Sequence, residues 1–258
     1  MVISVSAAQA DAKARTIDVR GEAYVLREYV GTAPARGTYV EGNESNGNQQ
    51  PQGFLVNQPA GAITHPHFHE SNQFQVFVDG SGRFGKQPVA PLTVQYASGH
   101  TPYGPIVAGA QGVVYFTLRQ RWDPGAKYMP EMRDRLQRGR QRQALCADLP
   151  VQSAEALAQR KDNDTLCFLG PEADGLCGTL LSLAPHAHID LADPAAGAGQ
   201  YHVVVAGSMC ADAEHVQEHG ESLLGPLSCQ YAFADNGSLH AIAGADGLQL
   251  LVLRFPTT

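Results

Sequence analysis

The chain has 258 residues, 18 Lys and Arg against 25 Asp and Glu, and a net charge of −7. That length makes one large domain or two small ones, and it buries enough surface to fold without a covalent staple. The acidic balance argues against general nucleic-acid binding, a hydrophobic content of 43% excludes a disordered chain, and apolar runs such as Val203–Ala206 fall far short of the ~18 residues a membrane helix needs.

In chain order, Met1–Val5 has neither a basic flank nor a long apolar stretch, so no signal peptide and a cytoplasmic location are expected. Residues 1–20 read as a loosely held N-terminal arm. From Glu22 onward short strand-like runs dominate: Ala23–Leu26, Gly53–Val56, Phe74–Val78, Leu92–Tyr96 and Gly112–Leu118. Gly, Pro and Asn clusters bound them, the pattern of an all-β sandwich or barrel. Glu41–Gln50 reads as a polar loop. Trp122 follows the last strand of this half and is expected to pack at a junction. Met129–Gln143 carries Arg133, Arg135, Arg138, Arg140 and Arg142, with Met132 and Leu136 on one face and Pro130 in the first turn. It predicts a short basic helix in a linker. The five cysteines form no CxxC pair and read as free thiols.

Strand character returns after Leu166, and so does the sequence. Gln73–Ser81 matches Gln200–Ser208 at an offset of 127, and Ala110–Arg119 matches Ala245–Arg254 at an offset of 135. Two ungapped blocks in the same order read as a tandem duplication with an insertion near Glu214–Glu221. A two-fold repeat makes two similar domains rather than a solenoid.

The densest chemistry lies in Gly61–Gln73. If residues 65–69 are extended, His65, His67 and His69 share one face. Imidazole suits Zn, Cu, Fe and Ni, so a divalent metal accounts for the cluster; the alternative is a hydrogen-bonded surface cluster. Thr101–Pro105 reads as a fixed tight turn, with Tyr103 either bonding a substrate or capping a barrel mouth.

These residues resemble the first motif of the cupin superfamily: Gly, five residues, His, one, His, three or four, Glu, six, Gly. Gly61, His67, His69 and Gly80 fall in register, with Gln73 at the Glu position; in the second half Gln200 and Gly207 keep the frame. The resemblance implies a bicupin. Its fold would be all-β, two tandem jelly-roll (double-stranded β-helix) barrels joined by a short helical linker. The first barrel is expected over 21–125, the linker over 126–160 and the second barrel over 161–258. It further implies one divalent metal per chain (Fe, Mn, Ni or Zn) on His67, His69 and Gln73. His65 stands in reserve. The second motif places Val107 where a His is expected, so His100 is the alternative donor. Gln73 cannot act as a general base, so proton transfer would fall to His65, His100, Tyr103 or a metal-bound water, with Tyr103 and His100 as the candidate catalytic residues. The second barrel is expected to have lost the metal: Pro194 and Ala196 stand where His67 and His69 stood. His186 and His188 come too early, while His202 matches Gln75 and His240 recovers part of the second motif.

The function this implies is a metal-dependent enzyme acting on a small organic acid or a phenolic or enolic substrate, either dioxygenase-like or an isomerase or decarboxylase. The alternative is a non-catalytic binder of a small ligand with a weakened or structural metal site. The expected partners are a small molecule and, through exposed edge strands, a second copy in a homodimer, with neither nucleic acid nor membrane.

Overall fold

The computed structural model describes residues 2–41, 50–139 and 141–257. Most of the polar loop and Arg140 therefore lie outside the described residues. The chain divides into two compact units: Lys13–Leu149, and the residues up to Ala12 together with those from Pro150 onward. Each is an antiparallel β structure of the jelly-roll kind. No helix among the described residues is long and apolar enough to cross a membrane.

In the Lys13–Leu149 unit the main sheet runs Gln143–Cys146, Thr93–Ala97, Gln73–Phe84, Ile106–Arg119, Gln52–Gln58, Glu22–Val30, Arg15–Val19. Directly opposed residues of an antiparallel pair share a face, and alternation sends every second one inward. Register therefore defines rows that cross the barrel. One row is Phe54, Thr117, Gln75, Gln95 and Leu145. The next is Gln52, Arg119, Gln73 and Ala97. A third, Val56, Tyr115 and Phe77, belongs to the buried apolar cluster. Phe77 and Ile106 are fully buried in that cluster, each worth roughly 1.5–3 kcal/mol of transfer free energy.

The second unit repeats the plan: Val2–Val5, Cys229–Ala232, Gln200–Cys210, His240–Arg254, Cys177–Leu183, Asp164–Leu169. Gln200 lies opposite Arg254, as Gln73 lies opposite Arg119; His202 lies opposite Val252, as Gln75 lies opposite Thr117. The duplication extends to a backbone device. Gly80 and Gly207 have φ of 71° and 70°. A Cβ on either would stand 2.3 Å or 2.2 Å from the carbonyl oxygen of Gly112 or Gly247. Only glycine allows both the dihedral and the approach, and both strands carry register shifts at these points.

Three expectations change. Residues 1–20 are not a loose arm. Val2–Val5 pairs with Cys229–Ala232, and Ser6 caps the helix Ala7–Asp11 in a reciprocal capping box with Gln9. Arg15–Val19 pairs with Glu22–Val30 in the other unit. The basic segment is not a helix but one 3-10 turn, Arg133–Arg135, with Gln143–Cys146 joining the edge of Thr93–Ala97. Four described arginines beside only two half-buried apolar residues leave no stripe broad enough to hold a helix on the barrel. The short helix of the connecting stretch lies at Ala154–Ala158, capped by Ser153.

Candidate ligand site in the first barrel

His67 sits in the two-residue strand His67–Phe68, which pairs with Lys127–Tyr128. The backbones of His67 and Tyr103 exchange two hydrogen bonds, of 3.1 Å and 3.0 Å, which brings the tight turn against the histidine strand. His67 Nδ1–H donates to the His65 carbonyl at 2.7 Å, so its Nε2 carries the lone pair. His69 Nδ1–H donates to Asp123 Oδ1 at 2.6 Å. Asp123 in turn accepts from the backbone N–H of Glu70 and of Gly125. The two rings meet edge to face, with centroids 5.1 Å apart.

Arg119 organises the interior. It is 2% exposed, and its Nη2 donates to His69 Nε2 at 3.0 Å, its Nε to Gln73 Oε1 at 3.1 Å and its Nη1 to Gln52 Oε1 at 2.5 Å. Gln73 Nε2 donates to the Tyr103 hydroxyl oxygen, which leaves the phenolic hydrogen for another acceptor. Burial, followed by the neighbouring His69, holds His67 down at about 3. Burial, followed by the Arg119 cation, holds His69 down at about 4. Both rings are therefore neutral at pH 7. Burial works to raise Asp123, but His69 and Arg119 outweigh it and keep the carboxyl well below its usual range. Asp123 thus carries the charge and His69 its polarised neutral partner. Burial pushes the Tyr103 hydroxyl well above its ordinary value, so it is protonated.

His67, His69, Tyr103 and Arg119 border a cavity of about 80 Å³, with Gln73 and Asp123 behind them. At roughly 10–15 Å³ for each water-sized position, that is room for about half a dozen non-hydrogen atoms. Leu26, Phe54 and Val56 form apolar wall. Two arginines line the cavity, buried Arg119 and exposed Arg36, and no Asp or Glu among the described residues does.

The structure brings together His67, His69, Gln73 and Tyr103, and separates His65 and His100 from them. His65 is exposed and contributes only its carbonyl. The alternation that placed it beside His67 is broken at Pro66, which interrupts the chain between the strands Ile63–Thr64 and His67–Phe68. His100 is half-buried outside the cavity. Its backbone N–H donates to the His69 carbonyl, and its Nδ1 accepts from the Gln137 N–H at 3.4 Å. The site residues missed from sequence are Arg119 and Asp123. The available signal was a charged residue closing an apolar strand in both repeats, Arg119 and Arg254.

In the second unit His202 is buried and held between Gln200 and Gln230. His186, His188 and His240 are exposed; His240 bonds Asp190. They do not join His202.

The resemblance implies a metal, and the donor set does not fit one. Two of the three expected ligand atoms, His69 Nε2 and Gln73 Oε1, already accept from the Arg119 guanidinium. Arginine does not deprotonate in proteins, so a dication would share those atoms with a fixed positive charge. Among the described residues no group of three or more His, Cys, Asp or Glu is arranged to hold a metal ion.

No family model matches the sequence, and no curated protein does. Solved structures do match. A provisionally assigned dioxygenase from Nostoc punctiforme aligns with TM-score 0.63 and 12% identity over 98% of this chain and 82% of its own. A bacterial pirin from Escherichia coli, solved with nickel(II), aligns with TM-score 0.56 and 10% identity over 100% of both chains. An oxalate decarboxylase with Mn(II) centres from Bacillus subtilis aligns with TM-score 0.56 and 10% identity over 99% of this chain and 78% of its own. At such identities the likeness is one of fold alone.

Proposed function

We propose, from the premise that this chain has the fold of the cupins, that its first barrel binds a small organic acid on Arg119. The observation that carries the reading is the lining of the cavity: a buried guanidinium, a second arginine at the rim, neutral imidazoles and no carboxylate among the described residues. The Asp123 carboxylate lies behind His69 and outside the lining, so an entering ligand meets the guanidinium in a low dielectric, and that planar fork matches a carboxylate. The volume suits an acid of few carbons. One structural neighbour is named oxalate decarboxylase and so acts, by that name, on a small organic acid, which supports the class and not the individual ligand.

The remaining groups fit an acid held in place. The Tyr103 hydrogen is free to donate to a carboxylate oxygen or carbonyl, and His67 Nε2 is a neutral base beside it, the ring centroids 4.6 Å apart. With His67 held at about 3 and the Tyr103 hydroxyl well above its ordinary value, neither group is tuned to exchange a proton near neutral pH, so the geometry suits a binder that orients the acid. Redox chemistry on a phenol would require a metal that this donor set does not accommodate.

Calorimetry of the purified chain against acetate, malonate, oxalate and pyruvate, with metal analysis of the same sample, tests the reading. At least one acid is expected to bind, with at least tenfold loss in Arg119→Gln and metal well below one ion per chain. Near-stoichiometric metal that disappears in His67→Ala would overturn it in favour of a metal enzyme. Failure of every acid to bind would overturn it outright.

A further inference from the structure

A second chamber, of about 310 Å³, lies against the same tight turn. Its lining shares only Tyr103 with the arginine cavity. Phe84, Pro102, Leu145 and Ala144 give it apolar walls, and among the described residues no charged one lines it. Phe84 and Tyr103 are stacked, with ring centroids 5.6 Å apart and planes 12° from parallel.

Gln95 sits at the buried end. It is 1% exposed, and neither its Oε1 nor its Nε2 has a hydrogen-bond partner. Its in-register neighbour Gln75, which lines the arginine cavity, also has an unpartnered Oε1, so neither carboxamide satisfies the other's oxygen. The other glutamines of the chamber differ: Gln87 is exposed, and Gln143 Nε2 donates to the Pro102 carbonyl at 2.6 Å. A buried amide donor and acceptor left without hydrogen bonds are costly in the interior. A leucine would fill that place without the cost. A buried donor and acceptor on one planar group therefore form half of a bidentate contact whose other half is absent from the chain.

We propose that this chamber is a second ligand site, taking a neutral flat ring that carries an adjacent N–H and C=O, a lactam edge, against the Gln95 carboxamide. The complement follows from valence. Oε1 needs a donor and Nε2 needs an acceptor, side by side in one plane, as when Gln reads the edge of adenine. The uncharged lining excludes an ionised ligand, whose desolvation nothing would offset. The stacked rings and Pro102 supply flat apolar contact for the ring body.

The probe is 2-pyridone, with N-methyl-2-pyridone as the form lacking the donor, each titrated by ligand-observed NMR into the intact protein. Saturable binding of 2-pyridone is expected, at least tenfold tighter than the N-methyl form, because methylation leaves Gln95 Oε1 unsatisfied. Gln95→Leu is expected to lose at least tenfold in affinity while melting no lower than the parent. Acetate in excess is expected not to displace the probe, which separates this site from the arginine cavity if that cavity binds acids; if it does not, the loss in Gln95→Leu separates them, because Gln95 lines this chamber alone. Equal affinity for the two pyridones, wild-type affinity in Gln95→Leu, or no saturation up to the probe's solubility would each overturn the proposal. The methyl comparison uses the unaltered protein and so stands even if the variant does not fold.

Discussion

The two barrels begin from the same pair of residues and use it differently. In the first, the arginine opposite the conserved-frame glutamine turns its guanidinium onto side chains: His69, Gln73 and Gln52. In the second, Arg254 turns onto backbone carbonyls, of Gly175 at 2.8 Å and Asp193 at 3.3 Å. The rows above the pair diverge in the same direction. Thr117 and Tyr115 of the first barrel correspond to Val252 and Leu250 of the second. The second interior is largely aliphatic, with Leu181, Leu183, Val204, Leu250 and Val252 in one cluster. The two barrels thus share a frame of strands and glycines, and the choice of partner for one cation separates a polar interior from a packed one.

The largest expected effect comes from removing that cation. Arg119→Met leaves Gln52, Gln73 and His69 without their donor and Asp123 without its compensating charge, and should cost about 3–5 kcal/mol in urea denaturation. Arg254→Met removes bonds to two carbonyls and should cost about 1–2 kcal/mol. Equal losses would erase the distinction between the barrels. Gly80→Ala and Gly207→Ala sharpen the other side of the comparison. Each combines a left-handed φ with a carbonyl in the path of Cβ, and each should cost about 3 kcal/mol. A large cost at only one of them would mean that the duplicated device is not equivalent in the two strands.

Acid separates the barrels more gently. His67, His69 and His202 titrate at about 3, 4 and 4 in the folded chain, below the ordinary imidazole value. Between about pH 4 and 6.5 the unfolded chain binds protons that these rings refuse, so stability is fully present above that window and falls as the pH drops through it. Each ring contributes a slope of about 1.4 kcal/mol per pH unit. The first barrel holds two such rings and the second one. His67→Gln and His202→Gln should each flatten the slope by one ring's share, read from denaturation midpoints across that window; an unchanged slope would place the ring in water. The smallest effect concerns the cap. Ser6→Ala should cost about 1 kcal/mol and raise hydrogen exchange in Cys229–Ala232, with no change in Thr93–Ala97. Faster exchange in both would break the assignment of the N-terminal segment to the second unit.

How much of this was legible in the sequence depended on distance along the chain. The repeat could be read because Gln73, Gly80 and Arg119 recur as Gln200, Gly207 and Arg254 in the same order, and the strand frame followed from local alternation. His67 and His69 could be placed inside because they follow the break at Pro66; His65 precedes it and was misplaced for that reason. Arg119 was visible as the end of a strand, but its three acceptors come from residues 46 to 67 positions away, which no local pattern encodes. Asp123 lies 54 positions from the ring that it orients. Val2–Val5 finds its partner at the far end of the chain, which is why it read as a free arm.

That last pairing makes the architecture nested. The polypeptide starts one domain, leaves it to complete another, and returns to finish the first. A gene fragment beginning at Pro150 would encode a barrel missing its outer strand, whereas a rearranged chain joining Val2–Asp11 to that fragment through a flexible tether would restore it. The middle unit is the one continuous piece, Lys13–Leu149, and during synthesis Val2–Val5 must wait for Cys229–Ala232 to leave the ribosome.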